Sequence, residues 1–147
     1  MTTPWGPGAG VVEFPDGCRV RGVGWRHQQR WSHSRPDFAL VLLGRRPEFD
    51  VPWPYRWVRW PDFTVPRDRD DAVAAIREVH ERGRRERVDI GCGGGVGRTG
   101  TALALVAVLA GVPSGEAVAW VRTHYRRRAV ETPAQRRWVV RTGGTLR

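Results

Sequence analysis

The pattern of apolar and polar residues along the chain predicts five β-strands. Each is a short run rich in apolar or β-branched residues and bounded by turn residues. The runs cover residues 11–14, 18–23, 38–43, 55–59 and 87–92. The first two flank a Pro-Asp-Gly turn, so they predict a hairpin. The third is continuously apolar, which is typical of a central strand that is buried on both faces.

Apolar residues at helical spacing and helix-capping residues predict four helices. They are expected at residues 69–82, 99–110, 115–126 and 133–141. Asp68 is the expected cap of the first helix and Gly83 its end, while Ser114 is the expected cap of the third. The second helix is apolar on all sides, which predicts that it is buried. Thr132 begins a capping box with proline at the first helical position of the fourth.

The order of these elements predicts the fold class. Strands come early, helices come late, and one strand–helix unit lies around residues 88–100. This order is typical of an α/β fold in which a small mixed β-sheet is flanked by helices on both sides. A chain of 147 residues is long enough for one domain with a proper core, so we expect a single domain over residues 1–147. Residues 1–10 are rich in Gly and Pro and are expected to be flexible.

The charge of the chain is strongly positive, with a net value of +10 and 25 basic residues. Such a charge ordinarily indicates a nucleic acid or an acidic membrane as partner. All the basic residues are Arg, however, and both Lys and Asn are absent, as expected from the codon bias of a GC-rich genome. The charge therefore favours anionic substrates in general, and neither a nucleic acid nor a membrane is an expected partner.

The cysteine content and the apolar runs indicate the cellular compartment. Two cysteines, Cys18 and Cys92, do not make a disulfide framework. The N-terminus has no basic region followed by an apolar run, and the longest apolar run, residues 102–110, is too short to span a bilayer. We therefore expect a soluble, cytoplasmic protein, and the sequence leaves its oligomeric state open.

A glycine-rich loop, residues 92–99, joins the fifth strand to the second helix. Its backbone can fold into a cup with several N–H groups facing one point, and the helix N-terminus adds partial positive charge there. A thiol at Cys92 would ionise readily in these surroundings, and Arg98 can hold two oxygens of a tetrahedral oxyanion with its planar fork. The loop therefore predicts phosphate-ester chemistry with Cys92 as nucleophile. The residues expected to bind the phosphate are Gly93, Gly94, Gly95, Val96, Gly97 and Arg98.

The loop is open to three other interpretations. Residues 95–100 formally match the dinucleotide pattern GxGxxG, but no second strand–helix unit with an acidic strand end follows them. A nucleotide-binding P-loop needs Gly where Cys92 stands and Lys where Arg98 stands. A plain glycine-rich turn with a buried structural cysteine is the third alternative.

The sequence Cys92, five residues, Arg98, Thr99 resembles the signature loop of the cysteine-dependent protein tyrosine phosphatases. The small chain is similar to their dual-specificity-like, bacterial-type members, and the resemblance implies a single tyrosine-phosphatase-like domain. It also implies hydrolysis of phosphotyrosine in a protein substrate through a phosphocysteine intermediate, with phosphoserine and phosphothreonine left open. No metal and no cofactor take part in that mechanism, and the Thr99 hydroxyl would help the sulfur leave in the second step.

Trp60-Pro61-Asp62 resembles the mobile acid loop of the same family. Tyrosinate leaves poorly unless its oxygen receives a proton, so the reaction needs a carboxylic acid opposite the cup. Asp62 precedes Cys92 by 30 positions, which leaves room for one helix and one strand. The resemblance therefore makes Asp62 the general acid. Taken alone, the tripeptide is most often a turn with a helix-capping aspartate.

Residues 129–135 resemble the loop with which the family holds the attacking water. Glu131 stands where many members have Gln, and Gln135 is already explained by the capping box. A water-positioning role is therefore open for both residues.

One departure from the family concerns Gly91, because the residue before the nucleophile is commonly His. That histidine supports the loop in relatives, so its replacement puts in doubt how strongly the thiolate is stabilised. Residues 1–54 match no pattern of the family and are expected to set the depth of the pocket.

The remaining Cys and His residues carry no catalytic signal. Cys18 is expected to be a small buried hydrophobe. The histidines have no metal-ligand spacing; they are His27, His33, His80 and His124. Two functions remain as alternatives to a protein phosphatase: a phosphate-binding pseudophosphatase, and a phosphatase for RNA 5′-phosphate or phosphoinositide.

Overall fold

Five strands form one mixed β-sheet in the computed structural model, which describes residues 2–26, 34–48 and 50–146. They are β1 (Val11–Glu13), β2 (Arg19–Gly24), β3 (Phe38–Leu43), β4 (Tyr55–Arg59) and β5 (Val88–Cys92). The spatial order is β1-β2-β5-β3-β4, with β1 antiparallel to β2 and all other pairs parallel. The predicted hairpin and the predicted mixed sheet are confirmed. His27 and His33 lie outside the described residues.

The described chain has four helices, of which the first lies between β4 and β5: α1 (Arg69–Arg82), α2 (Gly97–Leu109), α3 (Ala117–His124) and α4 (Pro133–Gly143). Asp68 caps α1 and Thr132 forms the capping box of α4, as predicted. The predicted start of α3 after Ser114 is wrong, because residues 114–116 form a turn in which the Glu116 N–H donates to the Pro113 carbonyl. Gly115 within that turn is a poor helix former, which explains the later start.

All four described helices lie on the same side of the sheet, where α1 and α2 contact the strands and α3 and α4 pack on α2. Leu40 of β3 and Ile90 of β5 belong to one core with the buried residues of the helices. Ala39 and Val41, which alternate with Leu40, face the other side and pack with Trp57 and other residues outside the helices. The expected α/β fold is confirmed, with its described helices on one face rather than on both.

The parallel pairing brings four strand ends to one edge of the sheet. β5 occupies the centre, and β2, β3 and β4 run in the same direction. The residues that follow β2, β4 and β5 therefore meet at the carboxyl edge, where open α/β sheets hold their ligands. This edge carries the glycine-rich loop and the Trp60-Pro61-Asp62 sequence.

A buried ion pair joins β2 to β5 below that edge. Arg21 binds Asp89 with two hydrogen bonds, of 2.9 Å from Nε and 2.8 Å from Nη2. Burial raises the pKa of Asp89 to about 6, against the lowering effect of Arg21. A carboxyl group whose pKa is raised by folding stabilises the fold while it is protonated. This contribution is complete below the ordinary value of 3.8 and is lost as the pH rises through about 6.

The N-terminal segment contacts the sheet through Trp5. This side chain is buried, and its indole Nε1 donates to the Val88 carbonyl at 3.0 Å. The Arg21 guanidinium lies 3.9 Å from the centre of the Trp5 ring. Trp5 is thus an anchor within the segment 1–10, whose flexibility stays a prediction.

Cys18 is fully buried, as expected for a structural cysteine. Its thiol donates to the His80 carbonyl at 3.4 Å, and burial raises its pKa to about 12. No helix within the described parts of the chain is long and apolar enough to cross a membrane.

Candidate active site

The glycine-rich loop lies between the central strand and the most buried helix. Cys92 is the last residue of β5 and Arg98 the second residue of α2, and their exposed fractions are 3% and 5%. Gly95 has a φ of 74°, and a Cβ there would lie 2.9 Å from the backbone of Val23 and Gly24. Glycine is therefore required at this position, both for the conformation and for the close approach of β2.

The backbone N–H groups of the loop have no acceptor in the part of the chain that the structure describes. Among the described residues, no group accepts a hydrogen bond from the N–H of any of residues 93–99. Buried N–H groups are nearly always paired, so a run of unpaired donors at a helix N-terminus needs an explanation. An anion held in the loop, as predicted for phosphate, would pair them.

Two groups outside the loop hold its carbonyls. The Arg26 N–H donates to the Gly93 carbonyl at 3.1 Å, and the Tyr125 hydroxyl donates to the Gly95 carbonyl at 2.6 Å. A peptide carbonyl and the following N–H point in opposite directions. These bonds therefore turn the next N–H groups away from Arg26 and Tyr125. Burial raises the pKa of Tyr125 to about 12, so its hydroxyl remains a donor.

Arg98 connects the loop to the segment after β4. Its Nη1 donates to the Trp60 carbonyl at 3.0 Å, and its Nη2 lies 3.5 Å from Asp62 Oδ1. Its buried Nε has no hydrogen-bond partner in the described part of the chain. The hydrogen bond from Nη1 thus orients the guanidinium, and the Nε–H group remains available to donate to an oxyanion.

The Thr99 side chain lies directly on the thiol. Its Oγ1 donates to Cys92 Sγ at 3.1 Å and accepts from the Cys92 N–H at 3.0 Å. Both residues are buried, so the two bonds fix the hydroxyl on the sulfur. The Thr99 hydroxyl thus lies against the sulfur, and its role in the second step stays a prediction.

Residues 60–66, the acid loop, are held by the side chain of Trp60. This side chain is fully buried, its Nε1 donates to the Thr64 carbonyl at 2.6 Å, and its ring meets the edge of Trp138. Asp62 lies beside Arg98 with 42% of its side chain exposed. Phe63, the next residue, has a φ of 61°, an unusual conformation of the kind found at active sites.

Gln135 links the start of α4 to the acid loop. Its Oε1 accepts from the N–H groups of Glu131 and Thr132, and its Nε2 donates to the Thr64 carbonyl at 3.1 Å. Both ends of the buried amide are therefore occupied. These bonds favour the structural explanation of Gln135 over the water-positioning one.

The loop before α4 presents Glu131 to the glycine-rich loop. A Cβ on Gly97 would collide with the Glu131 carboxylate, so the two residues are in close contact. Val130 has a φ of 66°, which is strained for a β-branched residue. Arg122 holds this conformation with hydrogen bonds to the carbonyls of Ala129 (2.8 Å) and Val130 (2.7 Å). Glu131 therefore lies against the first residue of α2, and its water-positioning role stays a prediction.

The protein-tyrosine phosphatase model matches residues 32–142, which include the acid loop and the glycine-rich loop. The chain belongs to the protein-tyrosine phosphatase family. Membership supports protein phosphatase activity by the cysteine mechanism.

Solved structures of phosphatases share the fold of this chain. Tk-PTP in its active form has a TM-score of 0.71 and 24% identity, over 92% of this chain and 97% of that one. DUSP15 has a TM-score of 0.70 and 12% identity, over 94% and 90%. Kinase associated phosphatase (KAP), with its catalytic cysteine changed to serine, has a TM-score of 0.70 and 13% identity, over 95% and 94%. At these identities the likeness shows the fold alone.

Trp25 accounts for the missing histidine of the phosphatase signature. A Cβ on Gly91 would lie 2.6 Å from Val23 Cγ2 and 2.7 Å from Cε2 and Nε1 of Trp25. The indole of Trp25 therefore occupies the space that a side chain at position 91 would need. This contact could not be predicted from the sequence, because Trp25 is distant from Gly91 in the chain and matches no motif.

We expect Gly91→Ala to lower the free energy of unfolding by about 1–3 kcal/mol, the usual cost of overpacking. The methyl group would force Trp25 or Val23 out of position, and Gly91→His would do so further. Urea denaturation measures the effect. Gly94→Ala is the matched control, since a Cβ there meets nothing within 4 Å. Equal losses in the two variants would contradict the packing role of Trp25.

Proposed function

We propose that this phosphatase hydrolyses phosphotyrosine in proteins through a phosphocysteine intermediate. The observation that carries the proposal is the set of unpaired donors around Cys92, formed by the N–H groups of residues 93–99 and the buried Nε of Arg98. These donors suit the oxygens of a phosphoryl group and the charge that it carries through the reaction.

In the first step the Cys92 thiolate attacks phosphorus and the bond from phosphorus to the tyrosine oxygen breaks. Asp62 donates a proton to that oxygen, so that tyrosine leaves as the neutral phenol. Arg98 is proposed to serve both partners: its buried Nε has no hydrogen-bond partner among the described residues, and its Nη2 is 3.5 Å from Asp62 Oδ1.

In the second step water attacks the phosphocysteine and the bond from sulfur to phosphorus breaks. The Asp62 carboxylate accepts a proton from the water, and the electron pair returns to the sulfur. Thr99 stabilises the departing thiolate through its 3.1 Å hydrogen bond. Glu131, in contact with Gly97, is proposed to hold the water, whereas Gln135 is proposed to hold the acid loop.

The substrate class is tested by the rate on a panel of phosphate esters. We expect the phosphotyrosine peptide to give the highest kcat/KM, above phosphothreonine peptide, RNA 5′-phosphate and phosphoinositide. Higher turnover of RNA 5′-phosphate or phosphoinositide would replace the proposal by the corresponding alternative, and binding of phosphate without turnover would make the chain a pseudophosphatase.

We also propose a cytoplasmic location, because a reactive thiolate survives best in a reducing compartment.

Asp62→Asn is expected to slow a phosphotyrosine peptide by about 10²–10⁴-fold, the usual contribution of general acid catalysis. An activated aryl ester such as 4-nitrophenyl phosphate has a better leaving group and is expected to lose much less. Asp68→Asn is the matched control, because that aspartate caps α1 instead. Comparable losses on the two esters in Asp62→Asn would remove Asp62 from the role of acid.

A further inference from the structure

A cavity of about 770 Å³ adjoins the glycine-rich loop on the side of the N-terminal segment. Its walls are formed by residues 5–11, residues 21–24, Ser34, Gly94 and Arg126. Pockets that bind ligands have volumes of roughly 300–1,000 Å³, so this one can hold several side chains. None of the steps of the proposed reaction uses it.

Gly94 connects the cavity to the phosphate cradle. This residue belongs to the loop whose N–H groups have no acceptor, and it also lines the cavity. A Cβ on Gly94 would meet nothing within 4 Å, so the space beside it is open. A substrate whose phosphate lies in the cradle can therefore extend into the cavity with the residues next to the phosphorylated one.

Arg126 gives the cavity a positive charge that no carboxylate among the described residues balances. None of the described lining residues is acidic. The charge of Arg21 is balanced by the two hydrogen bonds to Asp89. Arg126 forms no ion pair with a carboxylate among the described residues, and its guanidinium lies 5.4 Å from the centre of the Tyr125 ring. The cavity therefore favours an anionic group near Arg126.

We propose that this cavity is a subsite for the segment that flanks the phosphorylated residue, and that Arg126 selects an acidic side chain there. The proposal rests on the proposed function, since it assigns the part of a phosphoprotein that lies outside the phosphate cradle. It makes Arg126 a specificity-determining residue. Its neighbours Arg127 and Arg128 are also exposed but do not line the cavity.

The test compares two phosphotyrosine peptides, one with glutamates and one with alanines on both sides of the phosphotyrosine. We expect the parent protein to favour the acidic peptide by about five- to tenfold in kcat/KM. This is the usual effect of a hydrogen bond between two charged side chains at a partly solvent-exposed position. Arg126→Ala is expected to bring this ratio close to one. Ala9→Glu, which adds a carboxylate to the wall, is expected to lower it as well.

Arg127→Ala is the matched control, because it removes the same charge one residue outside the cavity and is expected to keep the parent ratio. An equal fall of the ratio in Arg127→Ala would attribute the preference to general charge and overturn the subsite. Turnover of both peptides at equal kcat/KM by the parent would overturn the subsite alone. No turnover of either peptide would refute the proposed function and the subsite with it.

Discussion

Cys92→Ser is expected to abolish turnover, with a loss of roughly 10⁴-fold or more, as for other catalytic nucleophiles. A serine hydroxyl does not ionise near neutral pH, and the described groups that bond to Cys92 offer it no base. The N–H of Cys92 is bound to Thr99 Oγ1, and that hydroxyl donates to the sulfur rather than accepting from it. A serine at this position would therefore remain protonated and unreactive.

The same variant is expected to bind phosphate or vanadate about as well as the parent, because the N–H groups of residues 93–99 and the Arg98 side chain are unchanged. Calorimetric titration measures this binding. Cys18→Ser is the matched control, since the Cys18 thiol donates to the His80 carbonyl and lies outside the site. Substantial turnover in Cys92→Ser, or a parent activity that requires an added divalent metal, would contradict the cysteine mechanism.

The elements of the fold could be predicted where one local signal determines them. The strands Phe38–Leu43 and Tyr55–Arg59 lie where the apolar runs placed them, and the capping residues Asp68 and Thr132 stand where their helices begin. The start of α3 could not be predicted from Ser114, because the Pro113–Glu116 turn competes with the helix. The apolar pattern does not indicate which face of the sheet the helices cover, because that depends on tertiary packing.

The candidate site likewise has some contacts that local sequence predicts and others that depend on the folded chain. Cys92, Arg98 and Thr99 are close in sequence and held by a strand, a loop and a helix, so their spacing predicts their meeting. The roles of Trp25 and Tyr125 depend on close approaches to Gly91 and Gly22, which only the folded chain makes visible. The hydrogen bond from Gln135 to Thr64 joins α4 to the acid loop across 71 positions, so no local signal predicts it. The capping box is a local signal, but it explains only half of the hydrogen bonds that Gln135 makes.

Arg98→Lys is expected to lower kcat/KM by about 10³–10⁵-fold, the range of arginines that stabilise a phosphoryl transition state. The guanidinium bonds to the Trp60 carbonyl, lies beside Asp62 and still holds a free Nε for the phosphate. A lysine ammonium keeps the charge as a single point and lacks the planar fork that reaches these groups together.

Two measurements separate the charge of Arg98 from its geometry. Weaker phosphate binding in Arg98→Lys would report the lost contacts in the cup. A larger loss on the phosphotyrosine peptide than on 4-nitrophenyl phosphate would report misplacement of Asp62, since only the poor leaving group needs its proton. We expect both, because one side chain contacts the acid loop and the cup. Arg127→Lys is the matched control, and parent-like kinetics of Arg98→Lys would show that charge alone suffices at this position.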